Sequence, residues 1–370
     1  MILAADFGGT SIKIGLVQEG RVLVRCRLDA HASHPLTERL EAVACEWQTM
    51  LKNSSHRLAD CQGVSLALPF LVNPKTQRVE GDFGKFLGAS DIDFDGWSQE
   101  RLGLPAMLEN DLRAALLGEW TAGAALGRKD VVMLALGTGI GCAVISDGRL
   151  LRGANNRAAA LLGHSTVSLE SAAGRCGNLG CAEDLASTAT LAVLAQARPD
   201  FPDSKLASAA KIDYESIFTL AAQGDGCSAA LLQQSLRVWA VVAQNAVLAY
   251  DPEIVVLGGG VLRSHEVILP ALNRHFRQHL PGVPLSLPIV ASVLGDDAAL
   301  LGCEVLWQQT SSFSEHFKKY CGCVERGFLG LGEASAKAQV QSNPVTEPKR
   351  SPNPKRPLPS FPHPHGHSIF

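Results

Sequence analysis

Gly8-Gly9-Thr10-Ser11 opens a stretch that runs on through Ile12-Lys13-Ile14-Gly15-Leu16-Val17, bends at Gln18-Glu19-Gly20-Arg21 and resumes at Val22-Leu23. The same grammar returns at Gly137-Thr138-Gly139, followed by Ile140-Gly141-Cys142-Ala143-Val144-Ile145, a Ser146-Asp147-Gly148-Arg149 bend and Leu150-Leu151. From the isoleucine onward the two align without a gap. Each reads as a strand, a glycine turn, a second strand and a tight hairpin, with Glu-Gly and Asp-Gly at the second bend. Self-similarity on this scale predicts two lobes built to one plan. Hairpins with Gly-Arg turns also arise by chance, so the repeat has a bland reading beside the structural one.

Outward from the repeat, Leu36 to Leu51 carries a helical pattern and Gly63-Val64-Ser65-Leu66-Ala67-Leu68-Pro69 an apolar strand. Strands alternating with helices indicate an α/β fold. A chain of 370 residues, 46% of them hydrophobic, is long enough for two cores, since single cores stop growing at roughly 250–300 residues. From Asp111 the run Leu112-Arg113-Ala114-Ala115-Leu116-Leu117-Gly118-Glu119-Trp120 is rich in helix formers, which places Asn110-Asp111 at a helix start. Ile254-Val255-Val256-Leu257 runs into Gly258-Gly259-Gly260, a glycine turn facing a ligand or opening a helix. We expect an N-terminal lobe over residues 1–117, closed by a last helix near 298–308, and a C-terminal lobe over 118–297. Residues 344–370 hold eight prolines, two Pro-Lys-Arg triplets and His363-Pro364-His365-Gly366-His367. This composition buries too little apolar surface to offset ordering, so 310–370 is expected to be a disordered, solvated tail. Its histidines could hold a metal weakly, and its Pro-x-x-Pro runs could meet an SH3-like groove.

A net charge of -3 and a pI near 6.4 give no general attraction to nucleic acid or anionic lipid, which points to small-molecule partners. Met1 to Asp6 lacks the features of a signal peptide, and no apolar run approaches the ~20 residues that span a bilayer. The expected location is the cytoplasm. The ten cysteines are scattered through apolar stretches, as a reducing compartment allows. Only Cys176 with Cys181, and Cys321 with Cys323, are spaced closely enough to suggest a metal.

Two copies of the repeat facing each other would set two glycine turns against one polyphosphate. In Asp6-Phe7-Gly8-Gly9-Thr10 the glycines let backbone N–H groups approach phosphate oxygens, the hydroxyl of Thr10 adds a donor, and Asp6 can orient a magnesium-bound water. Gly-Gly also makes ordinary turns. Asp111 could accept the proton of an attacking hydroxyl, with Asn110 holding a neighbouring hydroxyl, or it could simply cap its helix. Gly163-His164 and Cys176-Gly177-Asn178-Leu179-Gly180-Cys181-Ala182-Glu183 offer three ligands of a tetrahedral zinc knuckle. The alternative is two core cysteines in a glycine turn.

In order and approximate spacing these motifs, over about residues 1–308, resemble the ROK family of sugar kinases and sugar-responsive repressors. The resemblance implies a two-lobed actin-like (ribonuclease H-like) ATPase fold, with ATP, Mg2+ and a sugar meeting between the lobes. It implies Asp111 as catalytic base, and Asn110, His164 and Glu183 on sugar hydroxyls. Asp6, Gly8, Gly9, Thr10 and Lys13 at the first turn, and Gly137, Thr138 and Gly139 at the second, would hold ATP phosphates. Gly258, Gly259 and Gly260 would lie beside the adenosine. Zn2+ would be held by His164, Cys176 and Cys181. Two positions depart from the family. The usual Glu-x-Gly-His reads Leu161-Leu162-Gly163-His164, which leaves the sugar open, and the first cysteine of Cys-x-Cys-Gly-x-x-Gly-Cys is Gly174, which weakens the zinc site. Repressors of the family carry a helix-turn-helix ahead of the first turn, whereas this chain reaches Asp6 at once. The expectation is therefore ATP-dependent phosphorylation of a hexose or N-acetylhexosamine at a primary hydroxyl, with a catalytically weak sugar sensor as the alternative. A homodimer is left open as the assembly.

Overall fold

Ile2–Phe7 (β1) and Ser11–Gln18 (β2) pair antiparallel, and Arg21–Asp29 (β3) extends the meander to the sheet edge. Gly63–Leu68 (β4) then runs parallel to β1. Leu71–Asn73 (β5) and Arg78–Glu80 (β6) form a small separate hairpin, and Ala106–Asn110 (β7) closes the first sheet beside β4 in the order β3-β2-β1-β4-β7. Every residue of β1 and β4 is buried, as parallel strands covered on both faces require, whereas β3 alternates between exposed and half-buried.

Val131–Leu136 (β8), Ile140–Ser146 (β9), Arg149–Leu150 (β10), Ile254–Gly258 (β11) and Ile289–Ala291 (β12) repeat that plan in the order β10-β9-β8-β11-β12, with the same parallel and antiparallel pairings. Phe7 faces Ile12 in the first sheet and Leu136 faces Ile140 in the second. The paired isoleucines are the point from which the two sequences align without a gap. The first glycine turn is one residue longer, so sequence equivalence begins only where strand pairing resumes. Both hairpin bends use left-handed backbone, with φ of 52° and 71° at Glu19 and Gly20 and 49° and 69° at Asp147 and Gly148. Each bend is gripped by a carboxylate. Glu304 accepts from the N–H groups of Glu19 and Gly20, both at 2.7 Å, and Asp130 accepts from that of Asp147 at 2.8 Å.

Leu36–Lys52 (α1) and Phe94–Leu102 (α2) cover the outer face of the first sheet. Asp111–Ala122 (α3) follows β7 directly. Ala182–Ala186 (α4), Thr188–Gln196 (α5), Tyr214–Ala222 (α6), Gly226–Tyr250 (α7) and His265–His279 (α8) surround the outer face of the second sheet. A last helix, α9, spans 298–309. α3 and α9 lie between the sheets. Leu112, Leu116 and Leu306 pack on Val131, Met133 and Val256 of the second sheet, while Ala114, Leu300 and Leu301 pack on Ala4, Val17 and Ala67 of the first. The expected closing helix thus touches both sheets, and the division drawn at residue 117 falls inside α3.

The computed structural model describes residues 1–81, 85–280 and 286–309. The tail reading and the Cys321-Cys323 pair lie outside the described residues. Among the described residues no helix is long and apolar enough to cross a membrane.

Candidate active site

Asp6 is the penultimate residue of β1 and stands opposite Lys13 in the β1–β2 register. Lys13 Nζ donates to Asp6 Oδ2 at 2.8 Å and lies 4.0 Å from Asp296, which also pairs with Arg27 at 3.6 Å. Asp6 is buried, and burial raises its pKa against the pull of the Lys13 ammonium. At the same register in the second sheet Ala135 faces Gly141. The charged pair therefore belongs to one turn of the duplicated plan and not to the other.

The strand β7 delivers Asn110 and Asp111 to the start of α3. Asn110 is the cap, its Oδ1 accepting from the backbone N–H of Arg113 at 3.2 Å. The reading of Asp111 as the helix cap is thereby corrected. Asp111 Oδ1 accepts from the Leu112 N–H at 2.7 Å and from Asn110 Nδ2 at 2.9 Å, and the Asn110 amide also donates to the Phe70 carbonyl at 3.2 Å. Among the described residues Asp111 Oδ2 has no hydrogen-bond partner. Burial and then the charge of Asp6 push the Asp111 carboxyl up to about 6, opposed by the Leu112 N–H and by Lys85 and Lys13. Behind this pair the buried carboxylate of Glu109 meets Arg152, reaching from the end of β10, at 2.5 Å.

The second glycine turn is where the remaining motifs meet. A Cβ on Gly139 would strike the carboxylate of Glu183, whose Oε2 accepts from the Ile140 N–H at 2.9 Å. A Cβ on Gly141 would come within 2.8 Å of Leu112, the residue after Asp111, and one on Gly163 would strike the Ile140 carbonyl. These glycines let three elements close on the start of β9, bringing Asp111, His164 and Glu183 around one short segment. Sequence reading assigned Gly139 to phosphate; its visible task here is close approach to Glu183.

Beside this segment lies a cavity of about 460 Å³. Thr10 of the first turn and Gly137 and Thr138 of the second line it together, with Gly260 farther along. Gly258 is paired with Ala135 inside the sheet, and Gly259, with φ 91°, passes beneath the Leu136 carbonyl. Of the three consecutive glycines, Gly260 lines the cavity. Thr188, Lys211, Tyr214, Phe218 and Arg263 are among the other residues of its wall and were missed by sequence reading. The signal near them was structural only: Asp213 and Ser216 form a capping box that starts α6.

The knuckle residues His164, Cys176 and Cys181 offer ligand atoms that all lie within 4.8 Å of one another. His164 Nδ1 and Cys181 Sγ are 3.6 Å apart, close to the separation that two tetrahedral zinc bonds would set, roughly 3.6 Å for bonds of about 2.1 and 2.3 Å. Three donors therefore fit a zinc ion. At the fourth position a Cβ on Gly174 would strike Asp184, whose carboxylate is held by the backbone and guanidinium of Arg175 at 2.9 and 2.8 Å. The carboxylate of Asp184 occupies the room that a cysteine there would need.

The ROK family profile matches residues 2–310. A glucokinase of Thermotoga maritima is 30% identical over 81% of this chain and 95% of its own. An N-acetylmannosamine kinase of Citrobacter koseri is 33% identical over 57% of this chain and 67% of its own. Among solved structures, a ROK family glucokinase from Streptomyces griseus in complex with glucose and AMPPNP superposes with a TM-score of 0.65 at 27% identity, covering 82% of this chain and 97% of the other. The duplicated sheets are those of the actin-like ATPase fold, and with the family profile spanning both of them this chain belongs to the ROK family.

Proposed function

We propose that this protein is a sugar kinase that moves the terminal phosphoryl group of ATP to a hydroxyl of a hexose or N-acetylhexosamine, with Asp111 as general base. The observation that carries the reading is a cavity lined jointly by Thr10 of the first glycine turn and Gly137 and Thr138 of the second, together with an Asp111 carboxylate near enough to Asp6, at the end of β1, for the two charges to interact. Phosphoryl transfer asks little covalent chemistry of a protein; it asks for in-line positioning and for charge stabilisation. Backbone N–H groups of the two turns would hold the phosphates. Asp111, raised towards 6, accepts a proton readily near neutral pH, and its Oδ2 is the oxygen available to a sugar hydroxyl. Glu183 and His164, drawn to the same segment by Gly139 and Gly163, would hold further hydroxyls.

Magnesium bound to the ATP phosphates would neutralise developing charge, and Asp6 would orient its water ligands. His164, Cys176 and Cys181 would hold zinc as a structural cross-link. All eight cysteines among the described residues are free, which supports a cytoplasmic setting. Leu161 in place of the family's glutamate favours one competing reading, a sugar sensor of low activity. A panel of hexoses and N-acetylhexosamines assayed for ADP release with MgATP tests the proposal: sugar-stimulated release supports a kinase, and sugar binding without release identifies a sensor.

A further inference from the structure

We propose that Lys85 is a further catalytic residue, its ammonium contacting the phosphoryl group in transfer. Lys85 lies outside every glycine motif, and nothing in the sequence singles it out. In the structure its side chain reaches over the first glycine turn: a Cβ placed on Gly9 would lie 3.6 Å from Lys85 Nζ and 3.7 Å from its Cε. Because Gly9 carries no side chain, the ammonium faces the turn directly. The same cation stands close enough to Asp111 for its charge to be felt there.

The charge balance gives this position its meaning. Asp6 and Asp111 are near enough to repel, and the other cation between them, Lys13, is already held by Asp6 at 2.8 Å. Among the described residues Lys85 has no ion-pair or hydrogen-bond partner. A half-buried ammonium facing the first glycine turn, with the Asp111 carboxylate within reach of its charge, is placed to act where negative charge spreads over the equatorial oxygens during transfer. In the step itself the sugar O–H proton passes to Asp111. The sugar oxygen bonds to phosphorus as the bond to the bridging oxygen breaks, and ADP leaves with that electron pair. Lys85 gives and takes no proton; it remains an ammonium throughout.

The inference rests on the kinase reading, so the test separates the two. Calorimetry with AMPPNP and with ADP is run on the full chain, on Lys85→Met and on Lys85→Arg, alongside sugar-dependent turnover. Lys85→Met is expected to weaken AMPPNP binding about tenfold while leaving ADP unchanged, to lower kcat about 10²–10³-fold, and to move the acid limb of the pH–rate profile upward; Lys85→Arg restores part of each. Equal AMPPNP and ADP affinities to those of the natural protein, or parallel losses of both, overturn the contact. If the natural protein shows no sugar-dependent turnover the kinase reading falls, and the AMPPNP-against-ADP comparison still decides whether Lys85 meets the terminal phosphate.

Discussion

The carboxyl of Asp111 is placed where its charge is disfavoured by burial and by Asp6, and a folded pKa of about 6 against an ordinary 3.8 is the consequence. The folded state holds that proton more tightly than the unfolded chain does. Its contribution to stability is therefore complete below about pH 4 and is lost as pH rises through 4 to 6. Asp111→Asn should lower turnover ~10²–10⁴-fold, yet at pH 8 it should raise thermal stability, by about 1–2 kcal/mol. Loss of rate with no gain in melting temperature would show that the carboxyl is not strained, and retained turnover would remove it as the base. Gly139→Ala makes a second residue-scale prediction. The new methyl would displace the Glu183 carboxylate from the Ile140 N–H, so KM for sugar and for ATP should rise together; a change in neither would mean that Glu183 yields without consequence. The residues that sequence disclosed were those in motifs with a short local grammar. Lys85, Lys211 and Phe218 were invisible because they reach the site only through chain folding, with nothing in their neighbours to mark them.

At the scale of elements, sequence pattern located the helices Leu36–Lys52 and Asp111–Ala122 and the strands Gly63–Leu68 and Ile254–Gly258 to within a few residues. What it could not show is how α3 and α9 cross. Gly118 lies against the Ala298 carbonyl and Gly302 against that of Ala114, so a Cβ on either would overlap the backbone of the other helix. Alanine is the better helix former by about 1 kcal/mol, and in a free helix Gly302→Ala would stabilise. Here the neighbour is backbone and cannot yield, so Gly118→Ala and Gly302→Ala should each cost about 1–3 kcal/mol or more, read as a fall in chemical-denaturation midpoint. A rise would mean that the helices stand farther apart. The knuckle follows the same logic. Gly174→Cys alone should gain little zinc, because Asp184 fills the space, whereas Gly174→Cys with Asp184→Ala should bind zinc more tightly in a metal-competition titration. Equal affinities for the single and double variants would show that Asp184 moves aside freely.

Over the whole molecule, duplication brings two glycine turns to one cavity, and in the proposed function the departures from symmetry supply the chemistry. Two sheets of one plan present two glycine turns, but only the first carries the Asp6–Lys13 pair, and it is β7 whose end at Asn110 leads straight into Asp111 at the start of α3. The meander that opens each sheet was legible because its strands are neighbours in sequence, whereas the parallel strands that join it, β4 and β7 in one sheet and β11 and β12 in the other, are placed only by the fold. The closure of the molecule was less so, since α9 returns from the far end of the chain to seal a layer begun at Asp111. Leu300, Leu301 and Leu306 of α9 are each at most 6% exposed. At about 1.5–3 kcal/mol for each buried leucine, they contribute roughly 5–9 kcal/mol, comparable with the whole stability of an ordinary domain, about 5–15 kcal/mol. Glu304 adds the grip on the Glu19-Gly20 bend. A chain ending at Asp297 should therefore lose cooperative unfolding altogether, while a chain ending at Gln309 retains the helix and should keep both its melting transition and its sugar-dependent ADP release. The two truncations are best compared by calorimetric melting and by turnover on one sugar. Cooperative folding without α9 would refute its role as the closing element, and loss of turnover on ending the chain at Gln309 would make the proline-rich segment part of the working enzyme.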